Sequence, residues 1–435
     1  MRISPRIWIP VAAAVGVAGI LLFLLWWQLS ETAKRLKEEL KDVSILPAIT
    51  DTFTPTEIDA NTADVALLHL RKGDLFALQG EWNEAENEYK AAVDAGGGLS
   101  ALRKLAQAQL QRRNIDGVRA TIHLLKQEGA RAEDLLLLES IVHLRTGELV
   151  KAREILEQAV ESPQKHYGLA LLSLIQGTHE QAKAELLQVL GGWDPVLRSY
   201  AQTLKAAYDE FALFPESQEL HLITLLSRAL AQVQECELAL PLLVQVLAQQ
   251  DDYRDAWIVQ GYCELVTERY DQSLASLERA YSIDPEKAEV QYFLARAHAA
   301  LNDHQNAITF FSYALANCFK PEREVRRWIA TEASEVGNGP LALEQYQALA
   351  GAEDATVESH RDLITLLLVA EKKEEAYGAA LKAVVRFPGD ASLQELLGQT
   401  ATETNRKAEA KAAYEKALQL NPKSETAQEA LKKLQ

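Results

Sequence analysis

The sequence is poor in the features from which most active sites are made. Its three cysteines, Cys236, Cys263 and Cys318, are odd in number and contain no CxxC pair, so neither a disulfide framework nor a zinc site is indicated; they read as small core residues. The nine histidines, His69, His123, His143, His166, His179, His221, His298, His304 and His360, show no HExxH or comparable spacing. No glycine-rich phosphate loop precedes a helix. The glycines of GDLFALQG and of GGGLS read as helix-turn residues rather than a dinucleotide loop. No catalytic constellation emerges, and no cofactor or metal is expected.

Net positive charge is also missing. Residues 1–30 hold Arg2 and Arg6 as their only charged side chains, so the remainder of the chain is two charges more negative than the net −17 of the whole. A body this acidic repels phosphate backbones, and nucleic acid is excluded as the expected partner. Disorder of the whole chain is excluded too, because 48% of the 435 residues are hydrophobic and 25% charged. A run such as Glu371, Lys372, Lys373, Glu374 and Glu375 reads as a solvated turn between helices.

One long apolar run is present. Ile7 to Trp27, IWIPVAAAVGVAGILLFLLWW, is 21 positions without a charge, and as a helix it reaches about 30 Å, the thickness of a hydrocarbon core. Trp8 at one end and Trp26 with Trp27 at the other suit the two interfaces, and Pro10 falls in the first turn. The alternative is a cleaved signal peptide, but the run is longer than an h-region and no small-x-small site comes promptly after it. The expectation is a single retained transmembrane helix within residues 1–28. Arg2 and Arg6 favour an inner N-terminus, which places the rest outside the cytoplasm of a bacterial inner membrane; Lys34, Arg35, Lys37 and Lys41 weigh the other way. Ala12, Gly16 and Gly19 allow close helix approach. Leu29, Ala33, Leu36, Leu40 and Val43 repeat at spacings of four and three, either as the start of a coiled coil, and with it a homodimer, or as an amphipathic stalk. Residues 29–64 as a whole read as a juxtamembrane helix and linker, with Pro47 and Pro55 among Thr and Asp.

The body repeats itself. AWIVQGYCELVTERYDQSLASLERAYSIDP sets Gly261, Leu277, Ala280 and Pro285 in a frame that ELLGQTATETNRKAEAKAAYEKALQLNP reproduces as Gly398, Ala410, Tyr414, Ala417 and Pro422. Gly261 and Gly398 stand 137 residues apart, four units of about 34 residues with one residue inserted near Lys320 to Arg323. Gly73, Gly80, Ala85, Tyr89 and Ala92 form an equally clear unit, with weaker ones at about 99–132, 133–166 and 163–194 and another starting near Leu220. Each unit reads as two antiparallel helices, with Gly80, Gly147 and Gly177 at turns and Pro285, Pro388 and Pro422 stopping second helices.

A small residue in the first helix, an Ala, an aromatic or Leu and another Ala in the second, and a terminal Pro resemble the tetratricopeptide repeat family. The resemblance implies an all-α fold, a right-handed α-solenoid of about ten helix pairs behind the transmembrane helix, that binds proteins and is not an enzyme. We expect one block over 65–194, an irregular connecting segment over 195–219, a second block over 220–424 and a capping helix over 425–435. The aromatic-rich segment 195–219 reads either as a decayed repeat or as a hinge or extra helix entering the groove.

In this family the binding surface is the concave face lined by first helices. The frame puts Arg228, Tyr262, Tyr292, Arg296, Arg327 and Arg361 there, against the alternative that repeat surfaces simply carry some charge. Basic and aromatic side chains in an acidic protein suit peptides bearing carboxylates. The two-carboxylate clamp known in the family is not matched: its Lys and Asn places hold Leu70 and Asp74, Ile258 and Tyr262, and Tyr292 and Arg296. The expected role is a membrane-anchored scaffold that recruits or holds partner proteins, in envelope assembly, secretion or quality control. The alternative is a non-catalytic accessory subunit of a membrane enzyme complex.

Overall fold

The computed structural model describes residues 60–214 and 216–434. Among them are 22 helices and no strand. The apolar run 7–27, the juxtamembrane stretch and most of the linker lie outside the described residues; among the described ones, no helix is long and apolar enough to cross a membrane. The first helix begins at Ala60 rather than near residue 65.

The helices fall into ten antiparallel pairs. They are α1 Ala60–Gln79 with α2 Trp82–Asp94, α3 Gly98–Gln111 with α4 Ile115–Gln127, α5 Ala132–Arg145 with α6 Leu149–Gln158, and α7 Pro163–Ile175 with α8 His179–Leu190. After the lone α9, Pro195–Ala212, come α10 Glu219–Gln232 with α11 Cys236–Gln249, α12 Arg254–Val266 with α13 Tyr270–Ile283, and α14 Ala288–Ala300 with α15 His304–Ala316. The last pairs are α16 Glu322–Glu335 with α17 Gly339–Gly351, α18 Val357–Val369 with α19 Lys373–Arg386, and α20 Ala391–Glu403 with α21 Lys407–Leu420; α22, Glu425–Leu434, closes the array.

The repeat is written most plainly in the turns. Every pair is joined through one residue with positive φ: Gly80, Arg113, Gly147, Gly177, Gln234, Glu268, Asn302, Gly337, Glu371 and Asn405. The step from Gln234 to Glu268 to Asn302 is 34 residues each time, as is that from Gly337 to Glu371 to Asn405, whereas Asn302 to Gly337 takes 35. The extra residue sits where the sequence frame slips, in the connection around Cys318 to Pro321. The turns close alike. At the first-helix end the Arg113 N–H donates to the Leu110 carbonyl at 3.2 Å and the Asn114 N–H to that of Gln109 at 2.9 Å, a left-handed C′ cap that satisfies carbonyls the helix leaves free. Only four of the ten turn residues are glycine, which is why glycine alone does not reveal the period.

Small residues in first helices have a direct steric cause. A Cβ on Gly261 would lie 2.5 Å from Cγ of Leu277, and one on Gly398 would lie 2.7 Å from Cε1 of Tyr414. The same side chains, Leu277, Phe311 and Tyr414, are buried between neighbouring units with Ala280, Ala314 and Ala417. No pair covers its own apolar face, so the core runs along the stack.

Segment 195–219 differs from the expected irregular connection. Asp194 accepts hydrogen bonds from the backbone N–H of Val196 and Leu197 at 2.9 and 3.1 Å, and Pro195 occupies the first helical position, so the sequence starts a helix there. The resulting α9 buries Leu197, Ala201, Leu204, Ala207 and Tyr208 in the central core, with Tyr200 packed on Tyr167, centroids 6.1 Å apart. It stands without a partner helix of its own, which is why Gly177 and Gln234 are not one period apart.

The array also meets itself. Arg145, at the end of α5, sends Nε to Glu235 Oε2 at 2.8 Å, Nη1 to the Leu110 carbonyl at 2.8 Å and Nη2 to the Gln234 carbonyl at 3.2 Å. Arg113 lies 3.1 Å from Glu237. These contacts bridge the second and third pairs to the α10–α11 turn, about 90 and 120 residues further along the chain.

Candidate groove on the C-terminal first helices

Five of the six expected groove residues stand on successive first helices, α12, α14, α16 and α18. Tyr262 on α12 meets Phe293 of α14 with ring centroids 5.2 Å apart, tilted by 54°. Next to Phe293, Tyr292 is buried and lies flat on Phe319, 4.2 Å between centroids and 9° between planes. Its hydroxyl donates to Glu324 and accepts from Nη1 of Arg296 at 3.2 Å. Burial first, and the Glu324 hydrogen bond second, push the Tyr292 hydroxyl up to about 12, so it remains a donor at any physiological pH. One turn further along α14, the Arg296 guanidinium lies over the Trp328 ring at 4.7 Å. Trp328 stacks in turn near Phe311, with planes 11° apart. The arginine is thus fixed by stacking, and no carboxylate among the described residues pairs with it.

Arg327 and Arg361 occupy equivalent places, 34 residues apart, on α16 and α18. Both are exposed, and neither has a carboxylate within ion-pair distance among the described residues. They are nevertheless close in field terms. Glu358 is held below the usual carboxylate range chiefly by hydrogen bonds at the start of α18, with Arg361 and Arg327 adding to the effect. Burial pushes the Asp362 carboxyl up, and the same two arginines oppose that rise.

Around these side chains lie two open clefts. One, of about 560 Å³, is lined by Pro321, Arg323, Glu324, Arg327, Trp328 and Thr331. The other, of about 430 Å³, includes Arg361, Thr365, Gln399 and Tyr414. Arg228 does not join them: it is exposed, and its Nη2 is engaged by Glu210 of α9 at 2.6 Å. The sequence frame also missed Trp328, Phe319 and Glu324. Trp328 adjoins Arg327 in the sequence, while Phe319 reaches Tyr292 only through the irregular connection before α16, which no periodic frame places.

Among the described residues no three His, Cys, Asp or Glu side chains are grouped to hold a metal ion. The arrangement offers stacking surfaces and hydrogen-bond donors along an open face, a geometry for binding a chain rather than enclosing a small molecule.

Tetratricopeptide-repeat models match residues 224–288, 264–318 and 391–424. Together with the 34-residue pairs and their small-residue contacts, this shows that the chain carries tetratricopeptide repeats, and proteins built from these repeats mediate protein–protein interaction. No curated protein matches the sequence. Among solved structures, YrrB, described as a tetratricopeptide-repeat protein with an unusual peptide-binding site, is 17% identical, with 44% of this chain and 97% of that chain covered and a TM-score of 0.37. PilW, a type IV pilus biogenesis factor, is 19% identical over 49% of this chain and 99% of its own, with a TM-score of 0.37. Yeast Tom70 is 14% identical over 85% and 95%, with a TM-score of 0.31.

Proposed function

We propose that the protein is a membrane-held scaffold that recruits partner proteins through the groove formed by α12, α14, α16 and α18. The observation that carries the groove reading is the pair of exposed arginines, Arg327 and Arg361, which form no ion pair among the described residues and lie next to the fixed Arg296–Trp328 stack. A chain of net charge −17 that leaves these cations without ion-pair partners on one face favours a segment bearing carboxylates, bound by charge-assisted hydrogen bonds and apolar stacking. Membrane attachment is carried by the sequence of residues 7–27, with the repeats on the extracytoplasmic side of a bacterial inner membrane. Its use in envelope assembly, secretion or quality control rests on that placement.

Reversal of charge at Arg296 and Arg327 tests the groove. The double Glu variant should lose partner capture while its helical circular dichroism is unchanged; undiminished capture by a folded variant removes the groove from the reading. A reporter fused after Gln435 tests the side of the membrane, where a signal typical of the cytoplasm would reverse the orientation. Deleting residues 1–28 should release the array from the membrane fraction, and an array that stays there refutes the anchor.

A further inference from the structure

The self-contact of the array holds a buried ion pair, whereas ion pairs that join neighbouring units, such as Lys104–Asp74, Arg103–Asp134 and Arg254–Asp284, are partly exposed. Arg145 is 3% exposed and Glu235 5%. The guanidinium reaches both oxygens of the carboxylate, at 2.8 and 3.2 Å, and two carbonyls besides, Leu110 from the second pair and Gln234 from the α10–α11 turn. Glu237 stands 3.9 Å from Arg145 and 3.1 Å from Arg113. Two cations from the N-terminal pairs therefore face two carboxylates from the start of α11. Neither the 34-residue period nor neighbour-to-neighbour stacking requires this contact, since in a solenoid each unit touches only the next. The cluster is also continuous with the head of the groove: Tyr262 packs against the core that holds Cys236 and Leu144.

A buried ion pair has a property that apolar packing lacks. Removing one partner leaves the other charge buried and unpaired, which is strongly unfavourable, whereas replacing both by apolar groups is tolerated. The contact can therefore respond abruptly to the loss of a single charge.

We propose that Arg145 and Glu235, with Arg113 and Glu237 beside them, form a latch that holds the second and third helix pairs against the α10–α11 turn, closing the N-terminal half onto the head of the groove. With the latch intact the two halves move as one body. With one charge removed, they separate while the helix pairs on either side stay folded. A bearing of the latch on partner capture rests on the groove reading above; closure itself does not.

The test uses the full chain in detergent, with spin labels at Asp116→Cys and Gln232→Cys on a Cys318→Ser background. These two positions are exposed and flank the contact. The expected result is one narrow distance distribution for the parent, and a longer, broader one for Arg145→Ala with unchanged helical circular dichroism. The double variant Arg145→Met with Glu235→Leu should restore the narrow distribution. A distribution unchanged by Arg145→Ala in a folded chain overturns the latch. Should Arg145→Ala fail to fold, the peripheral pair decides: Arg113→Ala with Glu237→Ala should still broaden the distribution, and no change there overturns the proposal equally. Because no partner is present in the measurement, loss of capture without a distance change refutes the latch and leaves the groove reading standing; a distance change with undiminished capture in the Arg296 and Arg327 variants does the reverse.

Discussion

Replacing Glu268 by glycine should make the α12–α13 pair more stable. Glu268 sits at φ 61° in the turn between these helices, is exposed, and forms no ion pair or side-chain hydrogen bond in the described structure. A side chain in this left-handed region costs about 1–2 kcal/mol, and glycine avoids that cost at an entropic penalty of about 0.5–1 kcal/mol. The net gain is about 0.5–1 kcal/mol, which should slow amide exchange of the α12 and α13 backbones about two- to fivefold when opening is local. Asn302 occupies the same place one unit later, at φ 59°, but asparagine tolerates the conformation, so Asn302→Gly should gain almost nothing. Gly337→Ala, at φ 71°, should speed exchange in its own pair. Hydrogen exchange read by mass spectrometry resolves all three pairs in one chain. Faster exchange for Glu268→Gly, or a larger gain at Asn302 than at Glu268, would show that these turns are not strained in the way their backbone angles imply.

Packing and burial give further expected outcomes. Gly398→Ala should cost about 1–3 kcal/mol, because the added Cβ meets the Tyr414 ring at 2.7 Å; trimming Tyr414 to Leu in the same chain should recover part of the loss in a urea titration. Phe311→Ala, emptying a site with 0% exposure between α14 and α16, should cost about 3–5 kcal/mol and increase exchange in both neighbouring pairs while sparing α1–α4. Burial holds the imidazoles of His179 and His360 below their usual 6.5. The unfolded chain therefore binds the proton more readily, and this contribution is full above about pH 6.5 and is lost as pH falls through the folded values. The urea midpoint of His360→Gln should accordingly fall less than that of the parent between pH 7.5 and 5.5, and an equal fall would contradict the assignment.

Whether a feature is legible in the sequence depends on whether it is periodic. The frame through Gly261, Leu277, Ala280 and Pro285 is legible because the close approach of a first-helix glycine to a second-helix side chain recurs, at Gly73 with Tyr89, Gly261 with Leu277 and Gly398 with Tyr414. The extra residue near Lys320 is legible for the same reason, as a slip in that frame. The helix at 195–212 is not, although Asp194 and Pro195 announce a helix start, because its buried Leu197, Ala201 and Leu204 carry no counterpart one unit away. The expected groove residues Tyr262, Tyr292, Arg296, Arg327 and Arg361 keep register, on successive first helices. Arg228 stands apart from them because its engagement by Glu210 depends on that same unpaired helix. The Arg145–Glu235 contact is out of reach altogether, since it joins residues 90 apart by the closure of the superhelix, and no local pattern encodes closure.

The central claim is that the concave face of α12, α14, α16 and α18 holds the partner. A photo-crosslinking residue placed at Thr331 or Thr365, both exposed beside the arginines, tests it against one placed at Glu278 on the second helix α13. The account predicts one discrete set of adducts from Thr331 and Thr365 that disappears when Arg296 and Arg327 are both changed to Glu, with none from Glu278. Adducts from Glu278 alone, or groove adducts indifferent to the charge reversal, would place the binding surface elsewhere on the array.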